Sequence, residues 1–341
     1  MNETLWENIA AAYDLGKWDT PPQAVAGGLK HRLYYARTAR GEYAVKVLSP
    51  HLRQGPDSLT RYQRAEQIAR AAARAGLPAV CALPGPDGPV QTVGAATVMV
   101  FPWLAGETLS PAPAPPEAAR QIGALLGRLH ALAPNVPGLE PPAVPHFPGE
   151  HWAGLARQGA EDGVAWADAV ISARPDLGEW SAAASQAQRA LGDTWTATHR
   201  DMDQKNVLWS DPETPLLLDW EEAGAMNPAL ELMGAALNWA GQAAGPPDGA
   251  VFAAFLSGYR SAAPLDPAAL RHAAVAVLDK WLVWLDFNLQ RSLRAARTSP
   301  EEQATANGAA MHALATLHTL AADTERRLLW CDQAAPFRDA P

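Results

Sequence analysis

The chain of 341 residues has only two cysteines, Cys81 and Cys331. So few thiols exclude a disulfide scaffold, and a reducing cytoplasm is the expected location. Positive charge is also scarce: 27 lysines and arginines face 36 acidic residues, a net charge of -9. That excludes the basic surface non-specific nucleic-acid binding needs, so no nucleic-acid partner is expected. A cationic small-molecule partner fits the charge better. No apolar run reaches about 18 residues, so no membrane span is expected. The start, "MNETLWENIA", is acidic and polar without a basic region, and no signal peptide is expected there. Internal repeats are absent.

What is present is apolar bulk. Hydrophobic residues make up 48% of the chain, enough for one large domain or two of ordinary size. Thirteen tryptophans are many for this length. Core packing accounts for most of them, which leaves a minority for an aromatic pocket. "QAVAGGL", "HRLYYARTA" and "GEYAVKVL", within residues 20–50, read as strands with glycine punctuation. "SLTRYQRAEQIARAAARAG" has helical spacing and ends on Gly76, a C-cap candidate. "GPVQTVGAATVMVFPWL" suggests two more strands. A small antiparallel sheet carrying one helix is expected.

The proline-rich "SPAPAPPE" then leads into an amphipathic helix, "EAARQIGALLGRLHAL", followed by an irregular loop, "PNVPGLEPPAVPHFPG". Helices are expected over 151–192, 228–242, 247–262, 266–297 and 300–331, and the tail from 333 is expected to fray. Inside this helical half lies a strand-like island: "TWTATHRD", "KNVLWS" and "PLLLDWEEAG". The expected class is α+β and bilobal. The expected parts are a β-rich N-lobe over 1–102, a connection over 103–109 and a mainly helical C-lobe over 110–332. A cleft between lobes is a common ligand site.

The island concentrates polar chemistry in "THRDMDQKNVLW", residues 198–209. A tight loop between strands can aim Asp201 and Asn206 at one spot, and the next strand end can bring Asp219 beside them. Magnesium takes oxygen ligands, few of them carboxylates, and completes its shell with water and phosphates. Asn206 and Asp219 suit that role and leave Asp201 to orient a hydroxyl and accept its proton. Leu208 and Leu218 offer apolar surface beneath a planar base. The pattern His-x-Asp-x-x-x-x-Asn arises by chance in about one chain per hundred of this length. Asp-Trp-Glu at the following strand end strengthens it.

The first lobe adds Lys46 in the middle of the apolar strand "YAVKVL". A lysine there costs desolvation unless paired. It is either an edge-strand lysine reaching solvent or a phosphate contact held by a carboxylate. Glu66 on the following helix is the candidate carboxylate, with Asp57 as substitute. Gly27 and Gly28 would let backbone amides approach phosphates.

In this order, the glycine pair, Val-Lys, helix glutamate, His-x-Asp-x-x-x-x-Asn and Asp-Trp-Glu resemble the aminoglycoside phosphotransferase family. That family has the protein-kinase-like fold, and its relatives include choline, homoserine and fructosamine kinases. The resemblance covers roughly residues 20–300 and extends to "LGRLHAL" and "NPALELMGAALNWA", with Glu231 where aspartate is usual. It implies Asp201 as catalytic base and Asn206 and Asp219 as magnesium ligands. It implies Lys46 on the α- and β-phosphates of ATP or GTP, paired with Glu66. "VFPWLAGETL" resembles the inter-lobe hinge, with the Pro102 carbonyl and Leu104 amide on the purine edge and Phe101 behind the base. His199 would hold the loop through backbone hydrogen bonds.

Two departures stand out. Arg200 replaces a common glycine, and Asp203 stands where protein kinases have a lysine; Lys205 is displaced by two. There is no Asp-Phe-Gly, no Ala-Pro-Glu and no room for an activation loop, so a small-molecule kinase is expected, as monomer or homodimer. Its acceptor site draws on Asp203, Glu222 and the nearby Glu221. Trp281, Trp284 and Asn288 share one helix face, read either as core or as an aromatic wall suited to a cationic ring. An amine-bearing acceptor is expected, with a neutral sugar, polyol or nucleoside as alternative. A catalytically silent nucleotide- or metabolite-binding relative and a metal-dependent hydrolase are the competing classes. Retention of Lys46, Asp201, Asn206 and Asp219 argues against the silent relative, and a hydrolase using the island alone would leave Lys46 and the glycine turn without a reason.

Overall fold

The computed structural model describes residues 3–25, 31–49, 58–141, 143–295 and 299–334. The chain forms two compact units. One comprises Met1–Ser110, Arg128–Glu140 and Thr196–Ala225; the other comprises Pro111–Gly127, Pro141–Trp195 and Met226–Pro341. This division groups the strands of the polar island with the N-terminal sheet.

The first unit is built on β1 (Gln23–Val25), β2 (Arg32–Thr38), β3 (Gly41–Val47), β4 (Gln91–Val93) and β5 (Ala96–Pro102). They form an antiparallel sheet in the order β1-β2-β3-β5-β4. Side chains alternate across a strand, and here each face meets its own helix. Tyr43, Val45, Val98 and Val100 pack with Trp6, Ile9 and Tyr13 of the α1 segment (helix Glu3–Ala12). Met99 and Phe101 point the other way, into a cluster with Tyr62 of α2 (Ser58–Arg74). One helix was expected on this sheet and there are two. The acidic start hides α1, yet Trp6, Ile9, Ala10 and Tyr13 recur at helical spacing and are buried. The Tyr13 hydroxyl lies 2.9 Å from the carbonyls of both Pro89 and Val98. Gly76 ends α2 as expected: its φ is +79°, and Leu77 N–H reaches back to Ala72 O at 3.0 Å.

The polar island forms β7 (Thr196–Thr198), β8 (Val207–Trp209), β9 (Pro215–Leu217) and β10 (Gly224–Met226), with β6 (Glu107–Thr108) pairing onto β8. The Pro78–Val80 segment runs along β9: Leu217 N–H donates to Pro78 O and Val80 N–H to Leu217 O. His130, from "LGRLHAL", lies 3.1 Å from the Thr198 hydroxyl.

The second unit is helical: α3 (Pro116–Leu132, whose end from Arg128 belongs to the first unit), α4 (Gly149–Glu161), α5 (Ala167–Ala190), α6 (Pro228–Trp239), α7 (Gly249–Arg260), α8 (Pro267–Ala276), α9 (Leu278–Ala295), α10 (Pro300–Ala322) and α11 (Thr324–Ala334). Asn227, Asp248, Asp266 and Ser299 cap N-termini with their side-chain oxygens. Helices expected over 151–192, 266–297 and 300–331 are each broken in two. Gly163, with φ +64°, follows the end of α4. The fully buried Arg327 donates to Ala274 O at the end of α8 and to Leu320 O at the end of α10. A continuous apolar stripe does not reveal such breaks. α3 and α7 approach backbone to backbone through glycine: a Cβ on Gly258 would lie 1.9 Å from Arg120 O, and one on Gly123 2.1 Å from Phe255 O. Among the described residues no helix is long and apolar enough to cross a membrane.

Candidate active site

His199 follows β7, is fully buried and spends both ring nitrogens on backbone. The Asp201 N–H donates to Nδ1 at 3.3 Å, so Nε2 carries the proton and donates to Leu218 O at 2.9 Å. The imidazole thereby ties the catalytic loop to the end of β9, the structural role expected of it. Arg200 adopts φ +66°. Left-handed backbone costs a side chain about 1–2 kcal/mol, which is why glycine suits this position. The Asn206 side-chain N–H donates to Asp201 O at 2.8 Å and to Asp201 Oδ2 at 3.0 Å. The Asp201 carboxylate is thus aimed by its neighbour in the motif. Lys205 Nζ lies 3.3 Å from Asp201 Oδ2 and 3.9 Å from Asp203 Oδ2, so this exposed cation partly neutralises the local acids.

Strand alternation turns Lys46 toward the α2 face, with Met99 and Phe101. It lines a small cavity with Tyr62, Glu66, Asp219 and Glu221. Its ammonium sits 2.6 Å from Asp219 Oδ1 and bonds Glu221 Oε2 as well. The expected Lys46–Glu66 ion pair is corrected here. Glu66 Oε2 accepts the Ala82 N–H at 3.0 Å, while Arg70, one turn on, donates to Ala82 O at 2.5 Å. Together they grip both polar groups of Ala82. Burial pushes the Glu66 carboxyl up to about 7, against the opposing Ala82 N–H and Arg70 charge. Burial alone would lower the Lys46 pKa, but Asp219 and Glu221 outweigh it and raise it. Asp219 adopts left-handed backbone, φ +55° and ψ +59°.

An amide oxygen and a carboxylate are oxygen donors suited to a hard divalent cation that also takes phosphate and water oxygens. Asn206 uses only its N–H donors on Asp201, and among the described residues its Oδ1 has no protein partner. Asp219 Oδ1 is engaged by Lys46 in the present state. The two residues therefore fit magnesium as a partial site. No cluster of three or more His, Cys, Asp or Glu suited to a metal occurs among the described residues.

Phe101 packs on the Tyr62–Met99 cluster. Pro102 ends β5, and the next amide, Trp103 N–H, is spent on Glu42 O. The Leu104 N–H has no acceptor among the described residues. Leu208 pairs with Leu216 across β8 and β9, and Leu218 N–H donates to Asn206 O. Glu222 lies in the short turn Trp220–Glu222 after Asp219. Gly27, Gly28 and Asp57 fall outside the described residues. Trp281, Trp284 and Asn288 belong to the helical unit. Asn288 is fully buried and bonds its own helix at Trp284 O, which places it in the core rather than on a pocket wall. Trp281 meets His312 edge-on and Trp284 stacks on Phe287.

A model of the phosphotransferase enzyme family (APH) matches residues 22–265. The chain belongs to this family. It is a small-molecule phosphotransferase, a kinase acting on a hydroxyl. Among curated protein sequences nothing matches it. A spectinomycin phosphotransferase solved with ADP and spectinomycin superposes with a TM-score of 0.70 at 13% identity, over 94% of this chain and 98% of that one. A microcompartment-associated aminopropanol kinase reaches 0.66 at 17% identity, over 96% and 100%. Plasmodium vivax ethanolamine kinase reaches 0.59 at 11%, over 91% and 87%. At these identities the likeness establishes the fold alone, an α+β, protein-kinase-like one.

Proposed function

We propose that this cytoplasmic phosphotransferase moves the γ-phosphoryl group of ATP or GTP to a hydroxyl of a small, amine-bearing acceptor. The observation that carries the reading is Asp201, its carboxylate aimed by Asn206 in the same compact unit as Lys46 and Asp219. Asp201 accepts the acceptor's hydroxyl proton as the oxygen–phosphorus bond forms and the bond to the leaving ADP or GDP oxygen breaks. Lys46 binds the α- and β-phosphates. Pro102 and the unpaired Leu104 N–H take the purine edge, with Phe101, Leu208 and Leu218 around the base. Asn206 and Asp219 hold magnesium, which neutralises phosphate charge when bound. Asp203 and Glu222 recognise the acceptor.

The net charge of -9 supports an amine on the acceptor, as do the amino alcohols in the names of two structural neighbours. Lys205 offsets part of the Asp203 charge. The test is ADP or GDP release across amino alcohols, aminocyclitols, amino sugars, polyols and nucleosides. Turnover is expected with hydroxylated amines. Turnover only with neutral or anionic acceptors overturns the amine preference. Turnover with none, alongside no magnesium-dependent nucleotide binding, overturns the kinase reading.

A further inference from the structure

The geometry points to Glu221, held in place by His31, as the carboxylate that positions Lys46 for the nucleotide phosphates. This rests on the reading of Lys46 as a phosphate-binding lysine. An ammonium has three donors, and the Lys46 ammonium spends two of them on carboxylates, Asp219 and Glu221. Asp219 is the candidate metal ligand, and a divalent cation there would compete with the lysine for that carboxylate and weaken its hold. Glu221 is then the partner left to fix the ammonium.

Glu221 is built for that task. Its side chain is 11% exposed, and the oxygen that meets Lys46 also meets His31 Nε2 at 3.1 Å. The Ser49 N–H donates to His31 Nδ1 at 3.0 Å, which leaves the ring proton on Nε2, directed at Glu221. Tyr62 of α2 closes the other side, its hydroxyl 3.2 Å from the same nitrogen and its ring edge-on to the imidazole. A relay of buried groups thus runs from the end of β3 through His31 to Glu221 and Lys46. Glu66 is disqualified by its bonds: it is committed to Ala82, beside Arg70.

The test compares Glu221→Ala, His31→Ala, His31→Gln and Glu66→Gln with the wild-type chain. The readouts are ADP or GDP release and the Kd of magnesium with ATP or GTP, with melting temperature as a control. Glu221→Ala is expected to lower kcat about tenfold or more while nucleotide Kd changes less than threefold, because the lysine still meets phosphate but out of line. His31→Ala loses about threefold to tenfold in kcat. His31→Gln, whose amide can donate to Glu221, recovers at least half of that loss; a merely structural histidine would give no such rescue. Glu66→Gln lowers the melting temperature more than it lowers kcat. The reverse order, with Glu66→Gln costing more kcat than Glu221→Ala, overturns the inference, and so does Glu221→Ala within twofold of wild type. A wild-type chain that neither binds nor turns over nucleotide overturns the kinase reading itself, and this inference with it.

Discussion

Asp201 has one neighbour that aims it, Asn206, and one that partly neutralises it, Lys205. Replacing it with asparagine keeps the size and the contacts but removes proton acceptance. General-base assistance is worth about 10²- to 10⁴-fold, so Asp201→Asn is expected to lose that much kcat while the nucleotide Kd holds within a few-fold. Steady-state ADP release and calorimetry check the two halves separately. Asp201, Asn206, Asp219 and Lys46 were legible in the sequence because unusual residue types sit in a tight loop, at a strand end or inside an apolar strand. His31 and Glu221 were not legible as a pair. They lie 190 positions apart and meet only because the residue before β2 and the turn after β9 converge on one lysine.

At the scale of elements, close approach and burial set the tolerances. The α3–α7 contact has no room for a Cβ on Gly258, and the obstacle is backbone. Gly258→Ala must push the helices apart, and overpacking of this kind costs about 3 kcal/mol. The expected result is a lower urea midpoint with nucleotide affinity retained. Asp279 on α9 is buried beside Gln188 of α5, and its second oxygen has no partner. Burial pushes its carboxyl from the ordinary 3.8 up to about 7. Its protonated form is favoured in the folded state, so its contribution to stability is present below about pH 4 and is lost as pH rises through 7. Asp279→Asn, which cannot ionise, is expected to flatten stability between pH 5 and 7, by at most about 1.4 kcal/mol per pH unit. It should leave the variant the more stable protein at pH 8. Denaturation midpoints across that range decide it.

For the molecule as a whole, the Lys46–Asp219 bond would couple metal and nucleotide binding on the proposed reading. Magnesium alone meets a candidate ligand already engaged by an ammonium. Magnesium by itself is therefore expected to raise the melting temperature little. With ATP or GTP at about a hundred times Kd, the gain corresponds to about 2.7 kcal/mol. An equal shift from magnesium alone would contradict this. The sequence by itself determined the class of fold and the family. Strand alternation, glycine turns and residue type are local properties, and they survive in one dimension. Only the tertiary structure decided which carboxylate Lys46 meets, that a second helix covers the sheet, and where three long helical patterns break. Each depends on partners distant in the chain: Glu221 returning from β9, apolar strand faces waiting for α1, and Arg327 satisfying the helix ends at Ala274 and Leu320.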